Sequence, residues 1–337
     1  MVADLRENLT AGGPIATGQS RIYRAHLAAG HFLEIEAEQR GVDFKLNVTG
    51  PGGLHFSVDS PNGRHGPERL LLWAKADGSY EVELVATNTE ADPRFTLQVV
   101  ALHDGSERER RRAEAFALGV EADRQRRSED VEEIQRALST YKREAAAWHA
   151  LNELRGEIRA FDGLVLAARS LHDRREQVEA SRHLATLYER AGDIARQAEA
   201  LVDMGEALSE QARRREAQEA FRRALRLLAR APDAESEARA WNALANACLE
   251  EGQLDQAREG FARSLVLWRR LGRSESEAIT RANLANLLAK LGEPQLAQDE
   301  LERARGALPD PSPDEEAYLL TREVATWIRL GRRGEEA

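Results

Sequence analysis

Residues 241–264 read WNALANACLEEGQLDQAREGFARS, and forty residues further on 281–304 read RANLANLLAKLGEPQLAQDELERA. Set one above the other, Leu244-Ala245 falls on Leu284-Ala285, Gly252 on Gly292, and Ala257-x-x-x-Phe261 on Ala297-x-x-x-Leu301. Forty residues upstream, Met204-Gly205, Ala217 and Phe221 hold the same places. Apolar residues at i, i+3, i+4 and i+7 define one buried face of a helix. A glycine between two such runs supplies the positive φ at which one helix stops before the next starts. Each block therefore reads as a helix A followed by a helix B.

The same step runs through most of the chain. Trp148, Tyr188, Leu228, Trp268 and Leu308 form one ladder, and Leu164, Met204, Leu244, Leu284 and Val324 another. A third, Ala137, Ala217, Ala257, Ala297 and Ala337, is interrupted only by Gln177. Equivalent residues at a fixed step are the signature of a repeat solenoid, in which each unit buries its face against its neighbours. The expected helices are 107–127/129–153, 157–171/174–191, 194–211/214–230, 235–251/254–271, 275–291/294–308, and a lone helix near 314–330. That makes an α-helical solenoid over 107–337, about 5.5 repeats of 40 residues, truncated at its C-terminus because Ala337 would open the next helix B. Between units, GDIARQ (192–197), PDAESE (232–237) and GRSESE (272–277) each place a helix stop before residues suited to a helix N-terminus.

Residues 1–104 read differently. Phe44, Leu46 and Val48 alternate with polar neighbours, as do Tyr80, Val82 and Leu84, then Phe95, Leu97 and Val99. A period of two describes strands with one buried side. Turns such as Gly50-Pro51-Gly52-Gly53 and Asp77-Gly78 separate them. Roughly seven strands are expected, near 21–26, 31–38, 43–49, 54–59, 69–75, 79–86 and 94–102, in an antiparallel β-sandwich. The chain is thus multidomain, β followed by α.

Composition narrows function by exclusion. A net charge of −10 disfavours nucleic acid, whose phosphates call for a basic face. One cysteine allows neither an intrachain disulfide nor a cysteine-based zinc site. The opening MVADLRENLTAGG has no apolar core of a secretory signal, and no apolar run approaches the ~20 residues that span a bilayer. The expectation is a cytoplasmic protein without cofactor, membrane or nucleic-acid partner. Asp43, Asp59 and Asn62 are oxygen donors on turns but lack calcium-loop spacing. His31, His55 and His65 lack ligand spacing, and Trp73 and Phe32 read as core or interface aromatics rather than a sugar platform. Cys248 shares a packing rung with Leu208 and Leu288, so it reads as a buried structural thiol.

The pattern large–x₂–Leu–small–x₂–large, then Ala–x₃–Phe–x₂–Ala, resembles the tetratricopeptide repeat. The match is specific for units starting near 198, 238 and 278 and weaker at 118 and 158, where Gln177 and Ser181 stand for Ala and Phe. The segments Val42-Asp43-Phe44, Pro51-Gly52-Gly53 and Asp77–Val82 look like the bacterial pre-peptidase C-terminal type of β-domain. That order of modules is similar to the front of bacterial repeat proteins that end in a CHAT domain, a caspase-like cysteine peptidase. The resemblance implies a His/Cys dyad that nothing in this chain supplies, so the chain itself is expected not to be an enzyme.

It also implies a concave groove lined by the A helices, where a peptide or protein partner binds. Asn242, Asn246, Asn283 and Asn286 are the groove-facing candidates, with Arg239 and Lys290 adding charge. A side-chain amide offers a donor and an acceptor, which suits the backbone of an extended peptide; similar ladders occur in kinesin light chain relatives. The same amides could instead tie neighbouring helices together. The uncovered last repeat makes self-association a further expectation.

Overall fold

The computed structural model describes residues 2–59, 65–308 and 311–335. Asn62 and Ala337, which figured in the sequence reading, lie outside them. Seven strands are described: β1 (Val2–Asp4), β2 (Thr10–Pro14), β3 (Ser20–Leu27), β4 (His31–Gly50), β5 (Leu54–Val58), β6 (His65–Trp73) and β7 (Gly78–Asp104). Every pairing is antiparallel except β1 with β3.

The breaks fall elsewhere than expected. The predicted strands 31–38 and 43–49 are one strand, β4, and 79–86 and 94–102 are one strand, β7. Both run through two layers. In one layer β3, the first half of β7, the second half of β4 and β5 pair. In the other, β2, the second half of β7, the first half of β4 and β6 pair. Buried positions on β4 switch from odd (Ile35, Ala37, Gln39) to even (Val42, Phe44, Leu46, Val48). The switch sits at Gly41, whose φ is +62°, beside a register shift between Arg40 and Val42. A bulge of this kind adds one residue and re-aims the strand without ending it. Phe44 meets Phe95 edge-on at 6.4 Å, so the two halves face each other as the layers of a sandwich.

Strand gives way to helix between Asp104 and Glu107, but the chain's two compact units are Met1–Ala167 and Ala168–Ala337. The reason lies in α1 (Glu107–Arg126). Its capping box joins the Ser106 hydroxyl to the Glu109 backbone N–H and the Glu109 carboxylate to the Ser106 N–H. Ala113 and Phe116 bury into the sandwich core, which continues through Trp148 and Leu151 of α2 (Val131–Leu151). Arg112 bonds Glu34 of β4 at 3.0 Å. Burial alone would raise the Glu34 carboxyl; its bonds to Arg112 and Arg69 more than offset this and hold it below the usual range.

α3 (Leu154–Ser170) carries the boundary between the units. Then come α4 (Arg174–Ala191), α5 (Ile194–Glu210), α6 (Arg214–Leu228), α7 (Ala234–Glu250), α8 (Leu254–Leu271), α9 (Ser274–Leu291), α10 (Pro294–Ala307) and α11 (Pro313–Glu335). The forty-residue step holds in the backbone as well as in the sequence. His172, Ala212, Gly252 and Gly292 all take positive φ after an A helix, and Asn152, Gly192 and Gly272 do so after a B helix. The amide of the following residue bonds back to the same rung each time, Glu153 to Trp148, Asp193 to Tyr188 and Arg273 to Trp268. These are the closing bonds of a Schellman motif. Trp148, Tyr188, Leu228 and Trp268 are accordingly buried at matching places near the ends of α2, α4, α6 and α8, and Leu308 is half-buried after α10.

Candidate partner-binding face

The A helices α5, α7 and α9 begin on side-chain caps or acidic first turns. Asp193 accepts the Arg196 amide at 3.0 Å and Asp233 accepts that of Ser236 at 2.6 Å. Glu275 and Glu277 open α9, where a helix N-terminus favours negative charge. Apolar rungs such as Leu208, Ala245 and Leu288 turn inward and are buried, and so is Cys248. Burial pushes the Cys248 thiol up, against a weaker pull from Arg222, which leaves it unsuited to nucleophilic chemistry.

Three of the candidate amides form one chain. Asn246 donates to the Asn242 carbonyl oxygen at 3.2 Å. Asn283 of α9 donates to the Asn242 side-chain oxygen at 3.5 Å, and its own side-chain oxygen accepts from the Tyr318 hydroxyl of α11 at 3.1 Å. Asn242 and Asn246 are half-buried, whereas Asn283 and Asn286 are 1% and 5% exposed. Lys290 donates to the Leu249 carbonyl of α7 at 2.8 Å. Arg239 is set apart from these, bonding Asp203 at 2.8 Å and Glu206 at 2.9 Å on α5. Arg169 also reaches Asp203, at 3.2 Å.

This α5–α7 corner is acidic. Burial pushes the Glu206 carboxyl up, although Arg239 pulls the other way; burial also raises Glu199, and Asp203 adds to the rise. Arg239 is held above its ordinary range because the two carboxylates outweigh its own desolvation. Glu206, Asp203 and Tyr318 were not among the residues that the sequence singles out. The first had a signal: Glu206 lies forty residues before Asn246, on the same rung as Asn286.

α11 differs from the other A helices. Leu319 is buried, but Leu320, Val324, Trp327 and Ile328 are 46–55% exposed on its other side. Among the described residues, no group of three or more His, Cys, Asp or Glu side chains is placed to hold a metal ion. No described helix is long and apolar enough to cross a membrane.

Two tetratricopeptide-repeat family models match the sequence, over residues 198–227 and 236–310. These segments hold α5–α6 and α7–α10, the units whose signature is complete. No curated protein matches the chain. Among solved structures, aspartyl phosphate phosphatase F from Bacillus subtilis is 12% identical over 68% of this chain and 59% of its own, with a TM-score of 0.53. RapI in its apo form is 11% identical over 64% of this chain and 58% of its own, with a TM-score of 0.54. The chain thus spans less than two thirds of either structure. The pre-peptidase C-terminal domain of a Bacillus anthracis collagenase is 16% identical over 29% of this chain and 94% of that domain, with a TM-score of 0.25. The chain therefore joins a β-rich region to a helical array carrying tetratricopeptide repeats.

Proposed function

We propose that this chain is a non-catalytic scaffold whose A-helix face binds a protein or peptide partner, as the regulatory N-terminal part of a larger bacterial, cytoplasmic protein. In this reading residues 1–104 are an accessory docking module and 107–337 the binding array. One observation carries the proposal. Asn246 has its donor engaged and its side-chain oxygen without a partner among the described residues, while Asn242 has its acceptor engaged and its NH₂ without one. Four residues apart on one half-buried face, they offer the acceptor and the donor that a peptide's N–H and C=O require. Asn283 and Asn286 are the buried amides of α9, Asn283 holding Asn242, while Lys290 ties α9 to α7 through the Leu249 carbonyl and Arg239 ties α7 to α5 through Asp203 and Glu206.

Peptides selected by phage display against the full chain provide the test. Replacing Asn242 and Asn246 together by Ala is expected to weaken binding about tenfold or more, at about 1 kcal/mol per hydrogen bond, while the loss of the long Asn283–Asn242 bond lowers the melting temperature only slightly. Asn286→Ala is expected to lower the melting temperature instead. Unaltered affinity in the double variant overturns the assignment.

The exposed stripe on α11 supports self-association as a second property, expected as a concentration-dependent mass in light scattering; a constant monomer mass removes it. The order of modules favours one narrower reading, a substrate-positioning or autoinhibitory front for a CHAT caspase-like peptidase. A downstream reading frame without a His/Cys domain would rule that out.

A further inference from the structure

A cleft of about 630 Å³ opens between α1 and the β5–β6 side of the sandwich. Its volume lies within the ~300–1,000 Å³ of small-molecule sites. It is lined by Leu72 and Phe116, which are buried, and by Phe56, Trp73 and Val120, which are half-buried. The walls are preformed. Trp73 packs so tightly on Gly105 that a Cβ there would lie 2.2 Å from the indole. The Tyr80 hydroxyl is tied to the Ala76 carbonyl at 2.9 Å. A rigid apolar pocket spares a ligand the entropy of ordering its site.

The charges around the cleft are unequal in availability. On the α1 side Glu121 is bound by Arg124 at 2.6 Å and Glu114 is paired with Arg110 at 3.4 Å. On the sandwich side the Lys75 side chain has no ion pair or hydrogen bond to any described residue, and neither does the His55 ring. The rim therefore offers an unanswered cation beside an apolar chamber.

We propose that this cleft binds a small amphipathic carboxylic acid, its aromatic or branched apolar body against Phe56, Trp73, Phe116 and Val120 and its carboxylate at the Lys75 ammonium.

The test uses the full chain and calorimetric titration with 1-naphthylacetate, its neutral amide and 1-naphthylmethylamine. The acid should bind at least tenfold more tightly than the amide, and the amine should give no heat. Lys75→Glu should weaken the acid at least tenfold at unchanged melting temperature, since Lys75 is exposed, and Lys75→Arg should retain it. Val120→Trp should fill the chamber and abolish binding. Equal affinity for acid and amide, acid binding undiminished in Lys75→Glu, or no heat from the acid at millimolar concentration each overturns the proposal.

Discussion

Replacing Arg159 by Met is expected to destabilise the chain by about 3–5 kcal/mol above neutral pH, the cost of leaving a buried charge without its partner. The partner is Glu144 of α2, which is fully buried. Arg159 of α3 bonds Glu144 at 2.8 Å and Asp123 of α1 at 3.0 Å. The Trp148 indole N–H donates to Glu144 at 3.0 Å, and the Tyr141 hydroxyl donates to Asp123 at 2.5 Å. Among the described residues, one Glu144 oxygen has no partner. Burial pushes this carboxyl from 4.5 up to about 7, in spite of Arg159 and the Trp148 N–H.

The direction of the pH dependence follows. The folded state keeps a proton that the unfolded chain has released, so this group's contribution to stability falls as pH rises from about 4.5 through 7. The amount is up to about 3 kcal/mol. Glu144→Gln should flatten that slope. Arg159→Met should cost less at pH 6, where Glu144 can take up a proton, than at pH 8. Urea denaturation at the two pH values measures both. An equal loss at each would show that the guanidinium is not there to balance the carboxylate.

Phe221→Ala should cost about 3–5 kcal/mol, because a fully buried ring leaves a cavity that the neighbouring helices cannot collapse into. The ring of Phe221 on α6 lies over Gly205 of α5, where an added Cβ would come within 2.5 Å of it. Gly205→Ala should therefore cost about 1–3 kcal/mol by overpacking. The next repeat solves the same crossing differently. There Ala245 is on the A helix and Gly260 on the B helix, with an added Cβ at 260 meeting the Ala245 methyl at 2.9 Å. Gly205–Ala220 and Ala245–Gly260 are equivalent pairs with their members exchanged. Hydrogen exchange should place the loss from Phe221→Ala in α5–α7, since each solenoid unit leans on its neighbours. Uniform loss across the chain would contradict the repeat account.

Much of this was legible in the sequence because a repeat states its rule several times. Gly252 and Gly292 announced the helix ends, yet His172 and Ala212 take the same left-handed conformation without being glycine. A side chain does not advertise a backbone angle that its neighbours impose. In the sandwich, the break expected between 31–38 and 43–49 is a bulge at Gly41 inside one strand. Periodicity gives the face a residue occupies but not how far a strand continues beyond a local irregularity. The seating of α1 was also out of reach, since the Arg112–Glu34 bond joins residues 78 apart in sequence. The amides show the same limit. Asn246 and Asn286 share a rung, but Asn286 is buried whereas Asn246 reaches solvent, a difference that depends on the neighbouring helices.

Hydrogen exchange of the full chain with a display-selected peptide tests the partner-binding claim most directly. New protection is expected along α7, with α5 and α9 beside it, and little change in α6, α8 and α10. Protection confined to the B helices or to the strands of the sandwich would contradict it.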